Sequence, residues 1–263
     1  MLRLAHSSDG RMRARPSLSR AGAAARLSRL GVAFAMGSQL LLLGGVLAPR
    51  PAAAITEAVA AKKLSVIPVF VLTDEKGTPL PIPRDKDLVL PLYLDRAKGE
   101  AELAAFKKAN SAVKAKLLAI PLNVANDKIL ELNKALKDKK LFGAVIPRPQ
   151  DRAQAVQLLK QQGLSDKAIN DGLSVPVFFT KPFLTISTPE GPRGVFFFSW
   201  DALQTALAKV PDKEKLKPQA ADLSAVLREI IKQKDDLYVF FPTPDYFKLV
   251  QEQQAGAAGA PPK

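Results

Sequence analysis

The sequence contains no cysteine and only one histidine among its 263 residues. Without cysteine the chain has no disulfide, no thiolate metal site and no thiol nucleophile. The one histidine, His6, lies in an N-terminal segment that we expect to be removed. The mature chain would then lack the commonest metal ligands and the commonest general base. We therefore predict no metal site, no cofactor and no catalytic residue.

Sequence motifs of common enzymes are missing as well. The chain has no phosphate-binding loop, no dinucleotide fingerprint after a strand, no G-x-S-x-G and no H-E-x-x-H. Two carboxylate pairs, Asp74-Glu75 and Asp235-Asp236, lie in a predicted turn and just before a predicted strand. Nothing nearby predicts the burial that would separate their pKa values. We predict that the protein is not an enzyme; acid–base catalysis by one of these pairs is the alternative.

The net charge of +14 is unevenly distributed along the chain. Residues 1–54 hold eight arginines, no lysine and one aspartate, which is half of the excess. After that point lysines alternate with acidic residues on predicted helix faces, as in KALKDKK and DKEKLK. This pattern is typical of a solvated surface, and no arginine-rich stripe with interleaved aromatics is present. We predict no nucleic-acid partner.

The first 54 residues resemble a secretory signal. An arginine-bearing lead precedes the apolar run GVAFAMGSQLLLLGGVLA, and Ala52 and Ala54 supply small residues before Ile55. Such an order predicts cleavage before Ile55 and export from the cytoplasm. An uncleaved anchor helix and an organelle transit peptide are the alternatives. No later stretch is apolar enough to span a bilayer.

One apolar stretch occurs in two nearly identical copies, LSVIPVF at 64–70 and LSVPVF at 173–178. Each copy opens the same predicted order: strand, turn, strand, helix, strand, helix, strand, Pro-x-Pro, helix. The Pro-x-Pro segments are 147–149 and 242–244. A proline ends a strand because it cannot donate to the ladder, and a proline suits the first position of a helix. The repetition predicts an internally duplicated, two-lobed α/β fold with pseudo-twofold symmetry.

Four segments follow from this pattern. Residues 1–54 form the signal or targeting segment, 55–163 the first α/β repeat and 164–252 the second. Residues 253–263 have no apolar period and are predicted to be a disordered tail.

Aromatic residues are concentrated in the second repeat: twelve of the seventeen lie between positions 178 and 247. Because side chains alternate along a strand, Phe196 and Phe198 should face one way and Phe197 the other. Either helices cover both faces of this sheet, or one face exposes an apolar groove for extended polypeptide or another apolar ligand. The candidate groove residues are Phe179, Phe183, Phe197, Trp200, Phe240 and Phe241.

Four segments together resemble the Tic 22-kDa subunit family, a component of the chloroplast inner-envelope protein import machinery with relatives in cyanobacteria. They are LSVIPVFVLTDEKGTPL, LSVPVFFT, GVFFFSWDALQTAL and DLYVFFPTPDYFKLVQ. The resemblance covers roughly residues 64–251. No single motif is diagnostic, and the order of the repeated segments carries the likeness.

The resemblance implies a two-lobed α/β fold with apolar pockets on its flanks and a chaperone-like role towards proteins in transit. Plastid members serve precursors that cross the intermembrane space. Cyanobacterial members act in outer-membrane biogenesis in the periplasm, alongside the barrel-insertion protein. The signal-like N-terminus favours the periplasm, while its long arginine-rich lead keeps the plastid intermembrane space or the thylakoid lumen as alternatives.

We therefore predict a protein-transport factor that holds unfolded, precursor or outer-membrane-bound polypeptides by weak, sequence-tolerant contacts. Extended clients would lie on aromatic surface or add to a sheet edge. The expected partners are such polypeptides and the barrel-insertion machinery, and peripheral contact with a membrane is left open. The alternative is a scaffold that binds one folded partner of outer-membrane biogenesis and no unfolded chain.

Overall fold

The computed structural model describes the backbone of residues 55–258 and the side chains of residues 55–252. The predicted signal segment at 1–54, its cleavage site and the last residues of the predicted tail lie outside this range. Within the range, no helix is both long and apolar enough to cross a bilayer.

The first repeat alternates helices and strands from a short N-terminal helix onward. A 3-10 turn, Lys63–Val66, separates its first helix from its first strand. Its elements are α1 (Glu57–Lys62), β1 (Pro68–Thr73), β2 (Ile82–Arg84), β3 (Asp87–Tyr93), α2 (Arg96–Ala109), β4 (Lys116–Pro121), α3 (Leu122–Ala135), β5 (Leu141–Ile146) and α4 (Pro149–Gln161).

The second repeat has the same order of elements. They are α5 (Asp166–Gly172), β6 (Pro176–Lys181), β7 (Thr185–Thr188), β8 (Gly191–Phe197), α6 (Trp200–Leu207), β9 (Lys217–Asp222), α7 (Leu223–Lys232), β10 (Tyr238–Phe241) and α8 (Pro244–Ala258). A second 3-10 turn, Lys213–Lys215, precedes β9. Helix α8 continues past Glu252 into the segment that the sequence assigned to the tail.

Each repeat builds one five-stranded mixed sheet, and the two sheets have the same strand order. In the first, β1 lies between β3 and β4, β2 joins the start of β3, and β5 runs parallel to β3. In the second, β6, β8, β9, β7 and β10 hold the corresponding places. The register also corresponds, since Phe70 lies opposite Tyr93 and Phe178 lies opposite Phe197. The predicted α/β class is confirmed; the twofold relation and the domain boundaries stay predictions.

Local sequence explains where the helices begin. Asp95 caps α2 by accepting from the Ala97 N–H at 2.9 Å, and Asp222 caps α7 in the same way. Pro149 and Pro244 are the first residues of α4 and α8, as the Pro-x-Pro segments predicted. A helix tolerates proline in its first turn, because the N–H groups there have no partner within the helix.

A single apolar cluster, the central core, contains buried side chains of both repeats. The inner faces of the two sheets meet α1, α3 and α7 there. Its members include Val69, Val71, Leu92, Leu122 and Ile129 of the first repeat and Val177, Phe179, Phe196, Phe240, Leu223 and Ile230 of the second. Since burial of apolar area is the main stabilising term, the repeats share their principal source of stability.

A second cluster, the lateral core, covers the other face of the second sheet. Helix α4 belongs to the first repeat in sequence, yet it lies against β6 and β9 of the second. Helix α4 therefore connects the two repeats through its packing contacts. The buried members are Ala155, Leu158 and Leu159 of α4, Ile169 and Leu173, and Phe178, Val195, Phe197, Leu203, Leu207 and Ala220.

A buried carboxylate fixes the start of α4 against α6. Asp151 accepts from Arg148 Nε at 2.6 Å and Nη2 at 3.1 Å, and from the Trp200 N–H at 2.9 Å. Arg148 Nη2 also donates to Oγ of Ser199, the N-cap of α6, at 2.5 Å. A charged group removed from water needs such partners, and here they come from both repeats.

Tyr93 makes the stability depend on pH at the alkaline end. Burial, with a smaller contribution from the charge of Glu102, raises the pKa of Tyr93 to about 12, against about 10 in an unfolded chain. The folded state retains the proton longer, so this stabilisation is complete below about pH 10 and is lost as the pH rises towards 12. We expect the free energy of unfolding to fall by roughly 2–3 kcal/mol over that interval.

Denaturant titrations across this interval test the prediction, with Tyr93→Phe as the variant. In the variant, most of the decrease in the free energy of unfolding between about pH 10 and pH 12 should be absent. A smaller fall should remain, because burial also raises the pKa of Tyr238. Identical pH profiles for the variant and the wild type would contradict the assignment.

Candidate functional site

The six aromatic residues that the sequence proposed as a groove lie on both faces of the second sheet. Three are buried and three are partly buried. The buried ones are Phe179, Phe197 and Phe240. The partly buried ones are Phe183, Trp200 and Phe241.

The predicted alternation along β8 is confirmed. Phe196 and Phe198 belong to the central core and Phe197 to the lateral core. Stacked and tilted rings fill the inner face, with centroids 5.2 Å apart for Phe179 and Phe183 and 5.4 Å for Phe179 and Phe196. In this conformation both faces are covered and three of the six side chains are buried, so contact of these residues with a client stays a prediction.

A groove that the sequence did not predict lies in the first repeat, between α3 and β5. Its volume is about 630 Å³. The floor consists of Leu92, Leu122, Ile129 and Leu141, all buried members of the central core. The rim carries Leu130, Leu136 and Phe142, and the Leu130 side chain is 47% exposed. We call this the α3–β5 groove.

The corresponding place in the second repeat is filled. Ile146 is the last residue of β5 and Phe241 is the last residue of β10, and these two positions correspond. Three residues earlier in each strand, Gly143 therefore corresponds to Tyr238. The Tyr238 ring lies 5.2 Å from the Phe183 ring within the aromatic cluster. Gly143 lines the groove, and the Ile129 and Leu92 side chains lie where a side chain at this position would have to be. An aromatic ring fills this position in the second repeat, while two aliphatic side chains pack over a glycine in the first.

Among the described strands, β5 pairs with β3 alone, and the Leu88 N–H donates to the Lys140 carbonyl at 2.8 Å. In a parallel ladder alternate residues bond to the neighbour, so Leu141 and Gly143 direct their N–H and C=O groups away from β3. The Asn133 side chain pairs with both groups of Leu141, at 2.7 and 2.8 Å. Gly143 has no such partner among the described residues.

The corresponding edge of β10 is covered. Lys63 Nζ donates to the Tyr238 carbonyl at 2.9 Å and lies 2.5 Å from a carboxylate oxygen of Asp236. The 3-10 turn of the first repeat lies against β10. Within residues 55–252, the edge of β5 has no such lysine contact at Gly143, and Leu141 and Gly143 on this edge are buried.

Basic side chains surround one end of the groove. Four lysines and two aspartates line it beside the apolar floor. The carboxylate of Asp87 accepts from the backbone N–H of Lys140 at 3.0 Å. No ion pair joins any of the four lysines to another residue within 55–252. The lysines are Lys86, Lys137, Lys139 and Lys140.

The two carboxylate pairs have different surroundings in this structure. Asp74 lies in a turn, and the Thr78 N–H that it accepts at 2.8 Å lowers the pKa of its carboxyl. Asp236 is engaged by Lys63. Among the described residues, no group of three or more histidine, cysteine or acidic side chains is placed to hold a metal ion.

Sequence analysis missed the groove because its signals are weak. The segment KALKDKK was interpreted as a solvated helix face, yet its lysines border the opening. The absence of a side chain at Gly143, where the second repeat has Tyr238, is visible only once the register of β5 and β10 is known. A second cavity of about 650 Å³ near Lys114 is lined mostly by polar residues, with Val113 and Ala115 as its apolar lining.

Comparison with known proteins identifies the fold. No protein-family model and no curated protein sequence matches the chain. A solved structure of Anabaena Tic22, described as protein transport, matches with a TM-score of 0.62 and 22% identity over 79% of this chain and 100% of that one. Tic22 from Plasmodium falciparum matches with a TM-score of 0.59 and 21% identity, over 74% and 98%.

At these identities the comparison shows a shared fold. It covers nearly all of both solved chains. The resemblance to the Tic 22-kDa family that the repeated segments indicated is thus supported by architecture as well as by sequence.

Proposed function

We propose that the protein is a protein-transport factor of the Tic 22-kDa family that holds unfolded or precursor polypeptides in the α3–β5 groove. The observation that carries the proposal is a groove with an apolar floor and a partly exposed apolar rim. The shared fold with Anabaena Tic22, described as protein transport, supports the transport role.

The groove matches the chemistry of an extended, unfolded segment. Apolar side chains of the client would cover Leu130 and the other rim residues, Leu136 and Phe142, and leave water, which stabilises the complex in proportion to the area buried. Such contact tolerates many client sequences, because it does not depend on one specific side chain.

The proposed compartment is the periplasm, after removal of residues 1–54. The signal-like N-terminus supports it. There the clients would be proteins on their way to the outer membrane, and the barrel-insertion machinery would receive them. The plastid intermembrane space and the thylakoid lumen are the alternative compartments, with precursors in transit as clients.

Two serine variants on the same helix test the proposal. Leu130 borders the groove, while Val124 is similarly exposed, at 45%, and lies outside its lining. We expect Leu130→Ser to require about ten times more protein for equal suppression of client aggregation, since a buried leucine contributes about 1.5 kcal/mol or more. Val124→Ser should behave as the wild type. Light scattering of a denatured client diluted into each protein measures the effect.

Equal suppression by both variants would place the client elsewhere on the surface. No suppression by the wild type at large excess would contradict the holding role. Saturable binding of one folded partner at fixed stoichiometry, with no binding of unfolded chain, would establish the scaffold role instead.

A further inference from the structure

The four lysines at the mouth of the groove form no ion pair with a described side chain, and they outnumber the two aspartates that line the groove with them. Some lysines elsewhere on the surface are paired, as Lys98 is with Glu102 at 2.6 Å and Lys128 with Glu131 at 2.9 Å, while others form no ion pair with a described residue. At the groove, the carboxylate of Asp87 accepts a hydrogen bond from the backbone N–H of Lys140. The opening therefore presents net positive charge beside an apolar floor.

The lysines come from two connections that meet at this end of the first sheet. Lys137, Lys139 and Lys140 follow α3 and lead into β5. Lys86 lies in the tight turn between β2 and β3, next to Asp85, whose φ of 53° is left-handed. A chain that lay along the start of β5 would pass between these two connections, with the cations near its end and the apolar floor beneath its middle.

We propose that the α3–β5 groove selects polypeptide segments in which an apolar stretch is flanked by aspartate or glutamate. This inference rests on the proposed function and names the class of client that the same site would take. Exposed lysine–carboxylate pairs are individually weak and are screened by salt. Several together should change affinity about tenfold at low salt, and much less at high salt.

The first measurement compares three labelled peptides with the same apolar centre, flanked on both sides by aspartate, asparagine or lysine. Fluorescence anisotropy with the wild-type protein gives the affinities. We expect the aspartate peptide to bind about tenfold more tightly than the asparagine peptide, and the lysine peptide to bind most weakly. Added salt should bring the three affinities together.

The second measurement removes the charges. The double variant Lys137→Gln/Lys139→Gln should lose the preference for aspartate while still binding the asparagine peptide. The matched control Lys107→Gln/Lys108→Gln removes two exposed lysines from α2, away from the groove. It should keep the preference.

Equal binding of the aspartate and asparagine peptides by the wild type would overturn the inference and leave the proposed function standing. Failure of all three peptides to bind would overturn both. A third result would reassign the lysines to a membrane surface. In that case vesicles with anionic lipid would bind the wild type and not the groove double variant, while the double variant would keep the wild-type preference among the peptides. That result also overturns the inference.

Discussion

Phe197→Ser is expected to lower the free energy of unfolding by about 3–5 kcal/mol, a large part of the roughly 5–15 kcal/mol that stabilises a typical domain. The side chain is 1% exposed and lies in the lateral core, 5.2 Å from the Phe241 ring. Its removal leaves a cavity, and the serine hydroxyl would be buried among apolar groups. Denaturant unfolding followed by tryptophan fluorescence measures the change, since Trp200 lies in the same cluster.

Phe247→Ser is the matched control for this experiment. Phe247 is 47% exposed on α8, and its loss should change stability by about 0.5 kcal/mol or less. A folded Phe197→Ser protein with normal stability and lost client binding would contradict the core role. It would instead support the prediction that these aromatic residues contact the client.

Asp151→Ala is expected to cost about 3 kcal/mol of stability, at the lower end of the range for breaking a buried ion pair. Asp151 is 2% exposed and accepts hydrogen bonds from Arg148 and from the Trp200 N–H. Its removal leaves the partly buried guanidinium of Arg148 and a helix N-terminal donor without their acceptor. Because these groups join α4 to α6, the variant should also loosen the contact between the repeats.

Asp201→Ala separates this effect from general electrostatics. Asp201 lies 3.3 Å from Arg148 Nη1 but is exposed, so its loss should cost less than about 1 kcal/mol. Chemical denaturation of both variants gives the comparison. A loss for Asp151→Ala as small as that for Asp201→Ala would show that apolar contacts of α4 alone hold the repeats together.

The duplicated order of elements was predictable because its signals are local. Proline at 147 and 149, and again at 242 and 244, ends a strand and opens a helix for reasons that depend on the backbone alone. The alternation of Phe196, Phe197 and Phe198 between two faces follows from strand geometry, and the two clusters confirm it. Such rules need no knowledge of the partner elements.

The packing between repeats was not predictable, because it depends on contacts distant in sequence. Nothing local to α4 indicates that it covers the sheet of the other repeat. Asp151 lies in the first turn of α4, yet its partner Trp200 is far along the chain. The same limit explains the site: the aromatic run drew attention to the second repeat, while the groove is formed by α3, β5 and the connection between them in the first repeat.

The central claim, that the α3–β5 groove holds unfolded polypeptide, is tested most directly by crosslinking. A photoreactive side chain would replace Leu130 in one protein and Val124 in another, and each would be irradiated with a permanently unfolded, alkylated polypeptide. Strong crosslinks from position 130, competed by unlabelled client, and weak ones from position 124 are the predicted result. Equal or absent crosslinking at position 130, from a protein that still suppresses aggregation, would contradict the account.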